Sequence, residues 1–121
     1  MNVALTPYSP LASGRCARPN WDADTMRSKT DTTARSKYDS TEEQDKAIAA
    51  RIYELAQKYG TTMTAITFAW HFYCGVTSPI VGATKEKYLD DAVAALDIKL
   101  SEDDAAYIDE LYVPHKIVGA L

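Results

Sequence analysis

Residues 7–15 read Pro-Tyr-Ser-Pro-Leu-Ala-Ser-Gly-Arg. They follow a short apolar run, Val3-Ala4-Leu5, and precede a stretch thick with Thr, Ser, Asp and Arg. The pattern predicts a strand over Asn2–Tyr8 that Pro7 and Pro10 bring to an end, since proline cannot donate to a β-ladder. An aromatic ring, a hydroxyl and a glycine then gather at the strand's tip, in a turn composition open to a ligand.

Beyond the tip, periodicity disappears over residues 12–39, a loop length that usually means a lid or disorder. Helical order returns at Ser40 and Thr41, both candidate N-caps, with Glu43 and Gln44 at the capping-box spacing. Ile48, Ile52, Leu55, Ala56 and Tyr59 recur at helical intervals, and Gly60 stops the run. Thr62 is placed to cap a second helix with Ile66, Ala69, Trp70 and Tyr73 inward, closed by Gly75. The β-branched stretch Val76–Val81, broken by Gly82, predicts a second strand over residues 76–82. Thr84 opens a third helix with Leu89, Ala92, Val93 and Leu96 on one face. Ser101 with Asp104 opens a fourth, with Ala105, Ile108 and Leu111 inward. The tail from Tyr112 through His115 is irregular.

The expected order is strand and turn (1–11), loop (12–39), two helices (40–75), last strand (76–82), closing helices and tail (83–121). Strands separated by helices indicate parallel pairing and an α/β class. Two strands alone leave a parallel sheet without neighbours.

The chain has 121 residues, 46% of them apolar, and a formal charge of −4 with the signs interleaved. That is enough for one compact domain. No block of Lys and Arg exists to neutralise a row of phosphates, which argues against a nucleic-acid binder. No apolar stretch approaches membrane-spanning length and no signal peptide opens the chain, so a soluble, cytoplasmic protein is expected. Cys16 and Cys74 read as reduced thiols, Cys74 buried on its helix. His71 and His115 stand alone, so no metal is expected.

The second strand end, from Gly82, adds a possible anion site. Free N–H groups and the positive dipole end of a helix attract negative charge. Lys85 and Lys87 oppose that dipole unless an anion is present. Each tip also has a plainer reading, as a solvated helix start with two surface lysines and as an aromatic packed under a proline-rich turn.

Taken together the two segments are specific. YSPLASGR, followed about seventy residues later by IVGATKEKYLDDA, resembles the aldo-keto reductase family, as do TTMTAITFAW and LDIKLSEDDAAYIDEL. The resemblance implies the C-terminal part of an eight-stranded (β/α) TIM barrel from about the seventh strand onward, with two short parallel strands and about four helices. It also implies NADP(H) as cofactor and reduction of aldehydes and ketones to alcohols. On this resemblance Tyr8 stacks on the nicotinamide. Ser9, Pro10, Leu11 and Ser13 wrap the pyrophosphate, with Gly14 and Arg15 near it. Gly82, Ala83, Thr84 and Lys85 grip the 2′-phosphate, Tyr88 stands where relatives place an arginine or glutamine against the adenine, and Asp91 matches an acidic residue near its amino group. Ala92 replaces a frequent asparagine.

The family's catalytic tyrosine, aspartate, lysine and histidine are expected from earlier strands. The family motif Asp-x-Ala-x-x-Tyr-Gly is not in the sequence: with Asp103 as its aspartate, Ile108 falls at the tyrosine position. No catalytic residue is assigned. His71 is expected to pack, and His115 is placed where relatives vary. Expected partners are a nicotinamide dinucleotide and either the missing N-terminal barrel portion or a second copy, with no nucleic acid or membrane. The alternative is a non-enzymatic nucleotide-sensing or protein-interaction module. A small redox or metal protein needs Cys/His clustering that the sequence lacks.

Overall fold

Gly60, in the left-handed region at φ +63°, ends the longest element of the chain. The computed structural model describes residues 2–21 and 39–114. Its regular elements are α1 (Glu42–Tyr59), α2 (Met63–Tyr73), α3 (Glu86–Ala94) and α4 (Glu102–Asp109), with 3-10 turns at Ala12–Ala17, Asp39–Thr41 and Ala95–Asp97. The middle of the expected loop, residues 22–38, and His115 lie outside the described residues.

The helices begin and end for local reasons. In α1, Glu42, Glu43 and Asp45 crowd the positive end of the helix dipole. No capping box forms there. Thr41 has φ −115°, ψ 12° rather than an extended backbone, and its hydroxyl donates to Asp45 Oδ2 at 2.8 Å. Thr62 and Ser101 are extended and do cap: Thr62 Oγ1 accepts from the Ala65 N–H at 3.2 Å, and Ser101 Oγ from the Asp104 N–H at 3.1 Å.

The core sits between α1 and α2. Ala49, Ile52, Leu55 and Ala56 of α1 face Ile66, Phe68 and Ala69 of α2, with Ala95, Leu100 and Ile108 closing the far side. Every residue from Met63 to Ala69 is buried. Its first two turns are enclosed all round, as expected of a helix central to a small assembly. α4 is bolted to α1 by Asp104, which accepts from Lys58 Nζ and Tyr59 Oη, and by Arg51, which donates to the Tyr107 carbonyl and the Glu110 carboxylate.

Three expectations are overturned. First, no strand exists among the described residues, so the unit is a small helical one and not an α/β barrel piece with two parallel strands. The two segments do lie side by side: the Thr77 and Ser78 N–H groups donate to the Leu5 carbonyl, and the Ile80 N–H donates to the Pro7 carbonyl, all at 3.1 Å. A parallel bridge needs a reciprocal bond, which here would come from the N–H of residue 7. Residue 7 is proline and has none. Pro79 lacks the donor on the other segment, and Ser9 at φ +55° turns the first away. Leu5 N–H goes to the Thr77 hydroxyl and not to a backbone carbonyl, so among the described residues no backbone–backbone bond runs back from the first segment.

Second, α3 starts at Glu86 with Lys85 in the capping position and no side-chain cap, so Thr84 does not open it. Its Leu89 and Val93, and Leu96 just beyond, are 50–65% exposed. Among the described residues they form an uncovered apolar face. Third, Cys74 is exposed at the C-cap of α2, not buried within it.

Candidate functional site

The bonds from Thr77, Ser78 and Ile80 advance together with Leu5 and Pro7, so the two extended segments run in the same direction. Leu5 N–H completes the junction by donating to Thr77 Oγ1 at 3.3 Å. The segments that follow, Tyr8–Arg15 and Gly82–Asp91, consequently leave from the same end of the pair.

In the first segment Tyr8 is 79% exposed. Ser9, Ala12, Ser13 and Gly14 have φ of +55°, +48°, +57° and +90°. For the three that carry a Cβ this costs about 1 kcal/mol each or more. The turn closes on itself. Ala12 N–H donates to the Ser9 carbonyl (3.0 Å), Ser13 N–H to Ser9 Oγ (3.3 Å), and the Gly14 and Cys16 N–H groups to the Leu11 carbonyl (2.9 and 3.2 Å). Four amides that a pyrophosphate would seek are thus already used. Leu11 packs against the core, while Pro10 is half-buried. The Tyr8 ring, the Ser9 hydroxyl, which still has its own proton to donate, and the hydroxyl of exposed Ser13 are this segment's planar and polar offering.

Arg15 turns inward. Its Nη1 is 3.8 Å from Asp45 Oδ2, and its guanidinium carbon lies 4.8 Å from the centre of the Trp21 ring. Trp21 Nε1 donates back to the Arg15 carbonyl at 3.0 Å. The next carbonyl, of Cys16, accepts from Thr67 Oγ1 at 2.9 Å. The Cys16 thiol is pushed up to about 11, first by burial, then by Asp45, with Arg15 opposing. It is a protonated packing group. Trp21, Asp45 and Thr67 went unnoticed in the sequence; a tryptophan amid polar residues was the one available signal.

The second segment is open. Residues 81–90 are all exposed, and Asp91 is half-buried. A Cβ placed on Gly82 meets no atom within 4 Å, and its φ lies outside the left-handed region. Nothing among the described residues requires a glycine there. Lys85 and Lys87 flank the exposed N-terminal turn of α3 beside Ala83, Thr84 and Tyr88, and Glu86 sits between the two lysines. The charge conflict at that helix end, two lysines against the positive dipole, suits a bound phosphate.

His71 Nδ1 lies 2.7 Å from the Thr67 carbonyl, so that nitrogen carries the proton, and its ring packs edge-on to Trp70. It is a packing residue. Among the described residues no group of three His, Cys, Asp or Glu is arranged to hold a metal, and no described helix is long and apolar enough to cross a membrane. A shallow groove runs along α1, lined by Trp21, Lys46, Ala50, Tyr53 and Glu54.

The profile of the Aldo/keto reductase family matches residues 1–113. The chain belongs to that family. Among its relatives, the putative aryl-alcohol dehydrogenase C977.14c of Schizosaccharomyces pombe is 42% identical over 98% of this chain and 33% of its own length. Versiconal hemiacetal acetate reductase of Aspergillus parasiticus is 39% identical over 95% of this chain and 34% of its own. The putative aryl-alcohol dehydrogenase AAD16 of Saccharomyces cerevisiae is 34% identical over 95% and 33%. The chain spans about a third of the length of the curated relatives it matches. These names are of oxidoreductases, in a family that generally uses nicotinamide dinucleotides.

Proposed function

We propose that this chain is the NADP(H)-binding portion of a cytoplasmic aldo/keto reductase whose whole-protein reaction interconverts carbonyls and alcohols by hydride transfer. Support comes above all from the Ile80-to-Pro7 hydrogen bond, because it joins the two segments that bear the family-like residues at their bases. The exposed Tyr8 ring suits stacking on the nicotinamide, with Ser9 as a polar neighbour. Gly82, Ala83, Thr84, Lys85 and Lys87 suit the 2′-phosphate, and Tyr88 with Asp91 the adenine. The internal bonding of the Ser9–Cys16 turn argues for a small role for Ser13 and Gly14 N–H groups. The cofactor supplies the hydride. This chain's residues hold and orient it.

Turnover by the chain alone is not expected, because the motif that carries the family's proton donor is missing from the sequence. The relatives' names favour aromatic alcohols and aldehydes as the whole protein's substrates. Exposed Val3, Leu5, Ile80, Val93 and Leu96 favour a covering partner, either a polypeptide supplying the other two thirds of such a reductase or a second copy. The same exposed apolar residues are the observation that favours a second reading, a non-enzymatic nucleotide-sensing or protein-interaction module.

Titration of the purified chain with NADPH and with NADH, followed by nicotinamide fluorescence, is the test. Tighter NADPH binding without consumption of NADPH in the presence of aromatic aldehydes is expected. Absence of binding, or steady turnover, overturns the reading.

A further inference from the structure

We propose that Arg15 is a positioning residue: clamped between Asp45 of α1 and the Trp21 ring, it fixes the Ser9–Gly14 turn against the helices and does not touch the bound dinucleotide. The inference rests on the nucleotide-binding reading and revises the part that Arg15 plays in it. An arginine beside a dinucleotide turn would ordinarily be given to the pyrophosphate. Here the side chain is only 15% exposed and points at a carboxylate 3.8 Å away.

Four contacts, made by three residues, converge on residues 15 and 16. The guanidinium pairs with Asp45 and lies 4.8 Å from the Trp21 ring centre. Trp21 Nε1 binds the Arg15 carbonyl, and Thr67 binds the Cys16 carbonyl from the buried face of α2. Asp45 is itself steadied by the Thr41 hydroxyl. Immediately upstream, Ser9, Ala12 and Ser13 occupy left-handed backbone that residues with a Cβ avoid. Such conformations persist only where the surroundings over-determine them. The anchors downstream of Gly14 supply that determination, and Leu11, packed on the core, holds the turn's other end. An arginine serves better than a lysine, because only a planar guanidinium both stacks on the indole and pairs with the carboxylate.

The test uses the full chain with R15Q, R15K, D45N and the double variant R15Q/D45N. Hydrogen–deuterium exchange of residues 9–17 is compared with that of α1 and α2, and NADPH affinity is measured over a range of salt. R15Q is expected to speed exchange of the turn about three- to tenfold while leaving α1 and α2 unchanged. R15K recovers only part of the protection, and the double variant exchanges no faster than R15Q. NADPH affinity falls while its salt dependence stays that of the wild type, as expected of a residue with no phosphate contact. Unchanged turn exchange overturns the proposal, as does equal acceleration in α1 and α2, or a weakened salt dependence in R15Q. If the wild type fails to bind NADPH, the nucleotide reading falls, and the exchange comparison still decides the clamp.

Discussion

The Lys58 ammonium lies between both oxygens of Asp104, 2.7 Å from Oδ1 and 2.9 Å from Oδ2. Tyr59 Oη reaches the same carboxylate at 2.6 Å. Consecutive residues at the end of α1 therefore grip one buried acid at the start of α4. The Lys58 hydrogen bond, then that of Tyr59, holds the Asp104 carboxyl below its usual value of 3.8. A carboxylate whose pKa is lower folded than unfolded adds stability that is full above the unfolded value and is lost as pH falls through the folded one. Asp104→Asn should thus destabilise the chain at neutral pH and flatten the fall in stability below about pH 4. Urea midpoints measured from pH 7 down to pH 3 read this directly, and parallel curves for the two proteins would contradict it.

Caps separate the helix starts that depend on a side chain from those that do not. Thr62→Ala and Ser101→Ala each remove an acceptor from a helix N–H, at a cost of about 1 kcal/mol. Thr41→Ala removes no such acceptor and should cost clearly less. Chemical denaturation of the three variants gives the ranking, and an equal loss for Thr41→Ala would show that a cap forms there after all.

Burial divides the apolar residues into two groups of opposite consequence. Phe68 is 1% exposed, so Phe68→Ala should cost about 3–5 kcal/mol and leave the chain largely unfolded. Val93 and Leu96 are 62% and 65% exposed. Their joint replacement by serine should leave the denaturation midpoint nearly unchanged while reducing association in sedimentation velocity. A large drop in midpoint for the double serine variant would mean that this face is packed.

Pro7→Ala supplies the N–H that the first segment lacks beside the Leu5–Thr77 junction. The new donor stands where a parallel bridge would close, so the amides of residues 7, 77 and 78 should exchange with deuterium more slowly than in the wild type. Exchange as fast as before would mean that the backbone at Ser9, not the missing donor, keeps the segments from forming a ladder.

What the sequence made legible follows from how local each signal was. The ends of α1 at Gly60 and of α2 at Thr62 rest on single residues acting on their own backbone, and both were readable. So was the inward set Ala105, Ile108 of α4. The strands were not, because Val3-Ala4-Leu5 and Val76–Val81 have strand-like composition, while pairing depends on a donor at Pro7 and on neighbours that composition cannot report. Leu89 and Val93 illustrate a second limit: periodicity shows that apolar residues share a face, not that anything covers it. At the site, Tyr8 and Lys85 stood out by type. The inward turn of Arg15 was hidden because Asp45 and Trp21 are brought to it only by the fold.

Gly82 and the two lysines that follow allow the nucleotide reading to be separated from stability. Because a Cβ at Gly82 meets nothing within 4 Å and its backbone is unstrained, Gly82→Ala should leave the denaturation midpoint unchanged. If a phosphate approaches the backbone there, the same methyl stands in its way, and NADPH affinity should drop. Lys85→Gln with Lys87→Gln removes two charges from an exposed helix end, and relief of the unfavourable dipole contact makes a slight gain in stability the expected result. Loss of charge-assisted bonds to a 2′-phosphate should weaken NADPH binding by about tenfold. NADH, which lacks that phosphate, should lose far less, so the ratio of the two affinities is the decisive quantity. Equal weakening of both nucleotides would move the lysines away from the 2′-phosphate, and no weakening of either would leave them as solvated charges on the first turn of α3.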